Sequence, residues 1–157
     1  MLSVELAADP ETFERFLALA TEYEESLPPD LRHSNWENER QRIGQAYGPP
    51  NAAFVAMVDG LAAGCVSFTR RDDSCVVVKK MYVAPSARGR GVARALMNEL
   101  AREAAARGYV RLLLDTDKEQ LKPAYELYRS LGFRECESYG EVAYQTAVFM
   151  ELLLAPD

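Results

Sequence analysis

The sequence predicts a single mixed α/β domain whose sheet starts as an antiparallel meander and continues as alternating strands and helices. Two apolar runs, 52–58 and 61–68, flank Asp59-Gly60, a dipeptide suited to the tight turn of a hairpin. A β-branched run from Cys75 to Val83 follows the polar cluster Arg70-Arg71-Asp72-Asp73-Ser74 and supplies a third, largely buried strand. Beyond Pro85 the period becomes helical, and strand and helix signals then alternate to the end of the chain.

Each element has a local reason. Ser3 to Leu6 is read as a short strand. Asp9-Pro10 then forms a helix start, an N-cap followed by a proline whose missing N–H costs nothing in the first turn. Phe13, Phe16, Leu17 and Ala20 recur at helical spacing until Pro28-Pro29 ends the pattern. Ser34-Asn35-Trp36-Glu37 has capping-box spacing and is expected to open one helix running toward Tyr47, closed by Gly48-Pro49-Pro50. Ala93, Leu96, Met97, Leu100 and Ala104 make one face of the clearest helix, ending at Gly108. Val110 to Leu114 is the next strand, Lys122 to Leu131 a helix closed by Gly132, and Ala147 to Leu154 the last strand.

Composition narrows the function classes. With 157 residues, 48% of them apolar, the chain is expected to form one domain with its own core. Its 18 Lys and Arg against 24 Asp and Glu give a net charge of −6, a field that repels nucleic acid and anionic lipid, so neither is expected as a partner. Cys65, Cys75 and Cys136 form no C-x-x-C pair and have no histidine-rich neighbourhood, so neither a disulfide framework nor a metal site is expected. The longest apolar stretch, Ala52 to Val58, is too short to span a bilayer, and the N-terminus has no basic-then-apolar leader. A cytoplasmic location is the resulting expectation.

The segment that carries chemistry joins the third strand to the long helix: Met81-Tyr82-Val83-Ala84-Pro85-Ser86-Ala87-Arg88-Gly89-Arg90-Gly91-Val92-Ala93. The amides of a helix's first turn lack intrahelical acceptors and carry the positive end of its dipole, and glycines let an anion approach the backbone. Arg88, Arg90 and Arg94 concentrate cations here on an otherwise acidic chain. Gly91 is followed by Val92-Ala93 rather than Lys-Ser/Thr, which excludes a Walker A loop. Arg94 stands where a dinucleotide fingerprint needs its third glycine.

These residues resemble the GNAT superfamily of N-acetyltransferases, whose coenzyme loop reads Gln/Arg-x-x-Gly-x-Gly/Ala, filled here by Arg88, Gly91 and Ala93. The preceding Met81-Tyr82-Val83-x-Pro and the downstream Ala124-x-x-Leu127-Tyr128-x-x-x-Gly132-Phe133 stand in the family's order. The resemblance covers Ala52 to Glu151 and implies a GNAT-like sheet splayed near Val83. It implies acetyl-coenzyme A as co-substrate and no metal. The pantetheine would lie along Met81, Tyr82 and Val83. The pyrophosphate would sit on the amides from Gly89 to Ala93, with Arg88, Arg90 and Arg94 adding charge and Val92 packing the loop. Tyr128 falls at the family's usual general acid, and the Val83 N–H would meet the oxyanion.

The implied reaction is acetyl transfer to a primary amine of a small molecule or peptide in a ternary complex, by a monomer or homodimer. A non-catalytic acyl-coenzyme A sensor is the alternative, because the family's frequent strand glutamate is Val77 here. Leu121 likewise replaces a frequent asparagine. An amine of pKa about 10.4 must lose a proton before it attacks. His33, Glu37, Glu39 and Asp115 remain open as bases. Trp36 and Glu37 are placed at the acceptor site, with packing as the other reading of the Trp36 ring. Tyr139 and Tyr144 are expected either to line that pocket or to decorate a loop, and Cys65 and Cys75 to be buried as small apolar residues.

Overall fold

The computed structural model describes residues 1–140 and 146–155, so Tyr144 lies outside the described residues. A sheet of seven strands runs β1 (Leu2–Leu6), β2 (Ala52–Val58), β3 (Leu61–Arg70), β4 (Cys75–Val83), β5 (Arg111–Asp117), β7 (Ala147–Leu153) and β6 (Arg134–Cys136) in spatial order. Every pairing is antiparallel except β4 with β5. Helices α1 (Pro10–Ser26), α2 (Trp36–Gln41) and α3 (Ile43–Ala46) cover one face; α4 (Val92–Ala106) and α5 (Lys122–Ser130) cover the other. The mixed α/β domain expected from the sequence is therefore present.

Local chemistry explains the boundaries. Asp9 caps α1 by accepting from the Thr12 N–H at 2.8 Å, with Pro10 in the first turn. The Asp59-Gly60 turn places both residues at positive φ, 50° and 83°, as a tight hairpin requires. Two expectations need correction, and one strand was not expected. The helix expected from Trp36 to Tyr47 is two short ones, broken where Arg42 leaves helical geometry, and Asn35 makes no side-chain cap bond. The strand expected over 110–114 runs instead from Arg111 to Asp117. The three-residue edge strand β6 is too short to leave a periodic signal.

Two cores result from strands buried on both sides. Ala52, Phe54 and Ala56 of β2 pack under α4 with Leu96, Met97 and Leu100, while Ala53 and Val55 pack under α1 with Phe16, Leu19 and Ala20. Strand β4 does not keep such an alternation. Val76 and Val78 belong to the α4 side, yet Tyr82, of the same parity, belongs to the α1 side. The cause is a β-bulge: Cys65 pairs with Tyr82 and Ser67 with Lys79, so two residues of β4 oppose Val66 alone. Lys80 takes φ +59°, a left-handed conformation costing an L-residue about 1–2 kcal/mol. Side chains from β3 meet the displaced carbonyls: Ser67 Oγ donates to Lys79 O at 2.9 Å and Cys65 Sγ to Lys80 O at 3.3 Å.

The bulge turns the Lys80 side chain into the α1 layer, where it is 4% exposed and its Nζ donates to Glu24 Oε2 at 2.8 Å. Nζ also stands 4.6 Å from the centroid of the buried Trp36 ring. Burial works to raise the Glu24 pKa, but hydrogen bonds from His33 and Lys80 outweigh it and bring it down to about 2. A carboxyl whose folded pKa is depressed contributes stability above its unfolded value, 4.5, and loses it as pH falls toward 2.

Glu24→Gln leaves Lys80 charged and buried, so at pH 7 it should cost about 3–5 kcal/mol, or roughly 10 °C in Tm. Thermal melts of both proteins at successively lower pH should show that gap closing between about pH 4.5 and 2, where the wild-type carboxyl becomes neutral. A gap independent of pH would show that the charge is not what matters. Beside the bulge, a Cβ added at Gly64 would lie 2.7 Å from Tyr82 O and 3.1 Å from Val92 Cγ1. Gly64→Ala should therefore destabilise by about 1–3 kcal/mol through overpacking, read as a lower Tm.

Candidate active site

Strands β4 and β5 pair only at Cys75–Arg111, Val76–Leu112 and Val77–Leu113. The splay, expected near Val83, therefore opens earlier, immediately after Val77, and Val83 lies within the open stretch. Ala84 N donates to Ala63 O at 2.8 Å, which makes the neighbouring pair Val83–Gly64 a non-hydrogen-bonded one. The Val83 N–H and C=O therefore turn away from β3, toward the gap. The Val83 carbonyl there accepts from Arg88 Nε at 3.0 Å.

The gap is the mouth of a cavity of about 670 Å³. Its walls come from four places: β4 with Met81, Tyr82 and Val83; the loop and start of α4 with Arg88, Gly89, Gly91, Val92, Ala93 and Arg94; the β5 end and α5 with Asp115, Leu121 and Tyr128; and the segment after α1 with Leu31 and His33. Gly91 is the N-cap of α4 at φ +77°, and a Cβ there would meet no atom within 4 Å. The loop is open to an approaching anion, and the amides of Val92, Ala93 and Arg94 lie in the helix's first turn, where no intrahelical acceptor exists. Arg90 stands outside the wall, exposed and close enough to the Asp59 carboxylate to lower its pKa, behind the hydrogen bond and charge of the N-terminal amine.

Tyr128 reaches the cavity from α5 with its ring edge-on to Phe133 at 5.9 Å. Burial first, and the Asp115 carboxylate second, push its phenol pKa upward, so the hydroxyl keeps its proton. Asp117 fixes the turn that aims α5. Its Oδ1 accepts from the Glu119 N–H, the Gln120 N–H and Thr146 Oγ1 at 2.9, 2.8 and 2.6 Å. Gln120 Nε2 then donates to Asp117 Oδ2 and to Asp30 Oδ2, both at 3.1 Å, tying the turn to the segment after α1 across the cavity.

On the acceptor side the structure separates the expected residues. His33 and Asp115 line the cavity; Glu37 and Glu39 do not. Glu37 is exposed and pairs with Arg40 at 3.4 Å, and Glu39 accepts from Tyr47 OH at 3.0 Å. Trp36 is 6% exposed and packs in the α1-side core under Lys80, so it too lies off the wall. Tyr139 packs edge-on to Phe149 at 4.7 Å and is not part of the wall either. Cys65 and Cys75 are both buried, and Cys65 Sγ acts as a donor to the bulge.

Two residues that the sequence reading passed over complete the site: Glu24 and Lys80. Their signal was present. Glu24 continues the stripe Phe16-Ala20-Glu24 at i, i+4, i+8, and Lys80 interrupts a β-branched strand, so each puts a charge where the period calls for an apolar side chain. Among the described residues no group of three His, Cys, Asp or Glu side chains is placed to hold a metal ion, and no helix is long and apolar enough to cross a membrane.

Comparison with known proteins agrees with this architecture. The chain is 30% identical over 154 residues to an uncharacterized N-acetyltransferase of Schizosaccharomyces pombe, covering 96% of this chain and 94% of the relative. It superimposes on an acetyltransferase of Streptococcus agalactiae with a TM-score of 0.75 at 21% identity, covering 98% of each chain. An aminoglycoside 6'-N-acetyltransferase solved with coenzyme A superimposes with a TM-score of 0.71 at 16% identity over 100% of this chain and 98% of that one. Residues 13–133 match the profile of the Acetyltransferase (GNAT) family, and with a splayed sheet, a glycine-started helix and a buried tyrosine around one cavity, the chain belongs to that family.

Proposed function

We propose that the protein transfers acetyl from acetyl-coenzyme A to a primary amine of a small molecule or peptide, by direct attack within a ternary complex. The observation that carries this reading is the splay after Val77, which leaves the Val83 backbone groups facing a cavity that the start of α4 and Tyr128 share. The pantetheine amides pair with β4 at Met81–Val83 as an added strand. The pyrophosphate lies on the amides from Gly89 to Ala93, with Arg88 and Arg94 at the wall and Arg90 supplying charge from outside it. Leu121 gives α5 an apolar start, so that position offers the coenzyme no side-chain amide.

The chemistry follows from the same placement. The thioester oxygen develops negative charge as the amine attacks, and the Val83 N–H is its donor. Tyr128 protonates the leaving sulfur; it is buried, holds its proton, and stands on the α5 side of the gap. Asp115 on the cavity wall favours a cationic acceptor. The reaction requires no metal. The three free cysteines fit a reducing compartment, and we place the enzyme in the cytoplasm.

Gly91→Glu tests the phosphate site. Its Cβ meets no neighbour, so the fold should survive with only the cost of a left-handed residue, while the carboxylate repels the pyrophosphate. Calorimetry should show loss of acetyl-coenzyme A affinity at near-native Tm; unchanged affinity would place the phosphates elsewhere. Tyr128→Phe tests the acid. It keeps the ring on Phe133 and removes the proton, so kcat should fall about 10²–10⁴-fold with coenzyme affinity and Tm little changed. Coenzyme binding by the wild type with no thiol release across an amine panel would instead leave a binding module.

A further inference from the structure

The structure assigns the general base to His33, oriented by Glu24 and Lys80, an assignment that rests on the acetyl-transfer reading above. Glu24 Oε2 lies 2.6 Å from His33 Nδ1 and accepts from Lys80 Nζ at 2.8 Å, and Oε1 accepts from the His33 backbone N–H at 3.0 Å. Both carboxylate oxygens are committed, so the imidazole is held at its ring and at its own backbone. Glu24 and Lys80 have side chains 6% and 2% exposed, whereas His33 is 46% exposed and lines the cavity. This is a buried pair holding a reachable ring.

The tautomer of the neutral ring follows from acceptor chemistry. An ionised carboxylate can only accept, so Nδ1 carries the proton, and in the neutral imidazole Nε2 then presents a lone pair. Among the described residues Nε2 has no hydrogen-bond partner. His33 comes from the α1 face of the sheet and Tyr128 from the α5 face, and the gap between β4 and β5 is where they share a cavity. A base and an acid thus approach the reacting centre from opposite faces.

The protons balance. Nε2 takes one proton from the ammonium and passes it to water; the neutral amine attacks the thioester carbon, a C–N bond forms and the C–S bond breaks. Tyr128 gives its proton to the sulfur and recovers one from the nitrogen as the amide forms. One proton is released per acetyl transferred. Glu24 and Lys80 touch no substrate and act as positioning residues.

The charged and titratable groups that contact His33, share its cavity or flank it are Glu24 and Tyr23 from α1, Lys80 through Glu24, Tyr82 from β4, Arg88 and Arg94 around the start of α4, Asp115 from β5, Tyr128 from α5, and Asp30 and Arg32 on its own segment. His33 is the single histidine of the chain, so nitrogen NMR of uniformly labelled protein reads its tautomer without assignment. The expected pattern is protonated Nδ1 and unprotonated Nε2 at neutral pH; the reverse tautomer overturns the proposal whatever the kinetics. His33→Gln, at a partly exposed position, should keep coenzyme affinity by calorimetry. It should lose about 10²–10⁴-fold in kcat/KM for an alkylamine acceptor, together with the acid limb of the pH profile. An acceptor already neutral at pH 7, such as methoxyamine, should lose far less. Equal losses for both acceptors, or none, overturn the assignment. Wild-type protein that releases no thiol with any amine removes the acetyl-transfer reading itself, and the base with it.

Discussion

A lysine in left-handed conformation in the middle of β4 sets the geometry of the rest of the molecule. With one extra residue inserted at Lys80, the strand bends and exchanges the faces of its side chains, and its edge parts from β5 beyond Val77. Left-handed geometry disfavours an L-residue, and the structure offsets it with contacts that only this placement allows. Cys65 and Ser67 donate to the two carbonyls displaced from the ladder, and Glu24 and Trp36 receive the ammonium group. Gly64 contributes by absence, since any side chain there would strike the Tyr82 carbonyl from the neighbouring strand.

The same ion pair joins fold to chemistry. A buried charge pair adds little to stability against an apolar alternative, but it is directional, and breaking it is costly. Here the direction is used. Lys80 fixes one oxygen of Glu24, the carboxylate fixes His33, and the segment that follows α1 is thereby registered against the strand whose Val83 amide faces the cavity. On the far side Asp117 does the equivalent for α5 by gathering donors from its own turn and from Thr146. Gln120 links the two sides through Asp30. The acceptor wall is thus built from a connection between helices, yet it is tied down by charged and amide hydrogen bonds at both ends.

Much of the fold was legible in the sequence because its signals are local. The Asp59-Gly60 turn, the apolar runs around it, the Asp9-Pro10 start and the long α4 stripe each depend on near neighbours in the chain. The glycine-started turn into α4 was legible for the same reason, and of its residues Arg88, Gly89, Gly91, Val92 and Ala93 line the cavity while Arg90 does not. The acceptor side was legible only in part: His33 and Asp115 line the cavity, whereas Trp36 and Glu37 do not. Trp36 and Glu37 sit on a short helix whose orientation depends on Lys80, 44 positions away from Trp36 along the chain, and no periodicity encodes that distance. The single residues that could have revealed it were the two misplaced charges, Glu24 on an apolar stripe and Lys80 in a β-branched run. Opposite charges breaking two apolar periods are best read together, because each is costly to bury until it meets the other.

Because β4 changes face at Lys80, it answers to two different neighbours along its length. Val76 and Val78 must fit α4, while Tyr82 must fit α1. The bulge therefore exchanges which positions answer to which layer: before it Val76 and Val78 face α4, and after it Met81 and Val83 take over that side while Tyr82 faces α1. The switch between the two parities is one residue wide, so an apolar side chain moved by a single position along β4 would change the layer it meets.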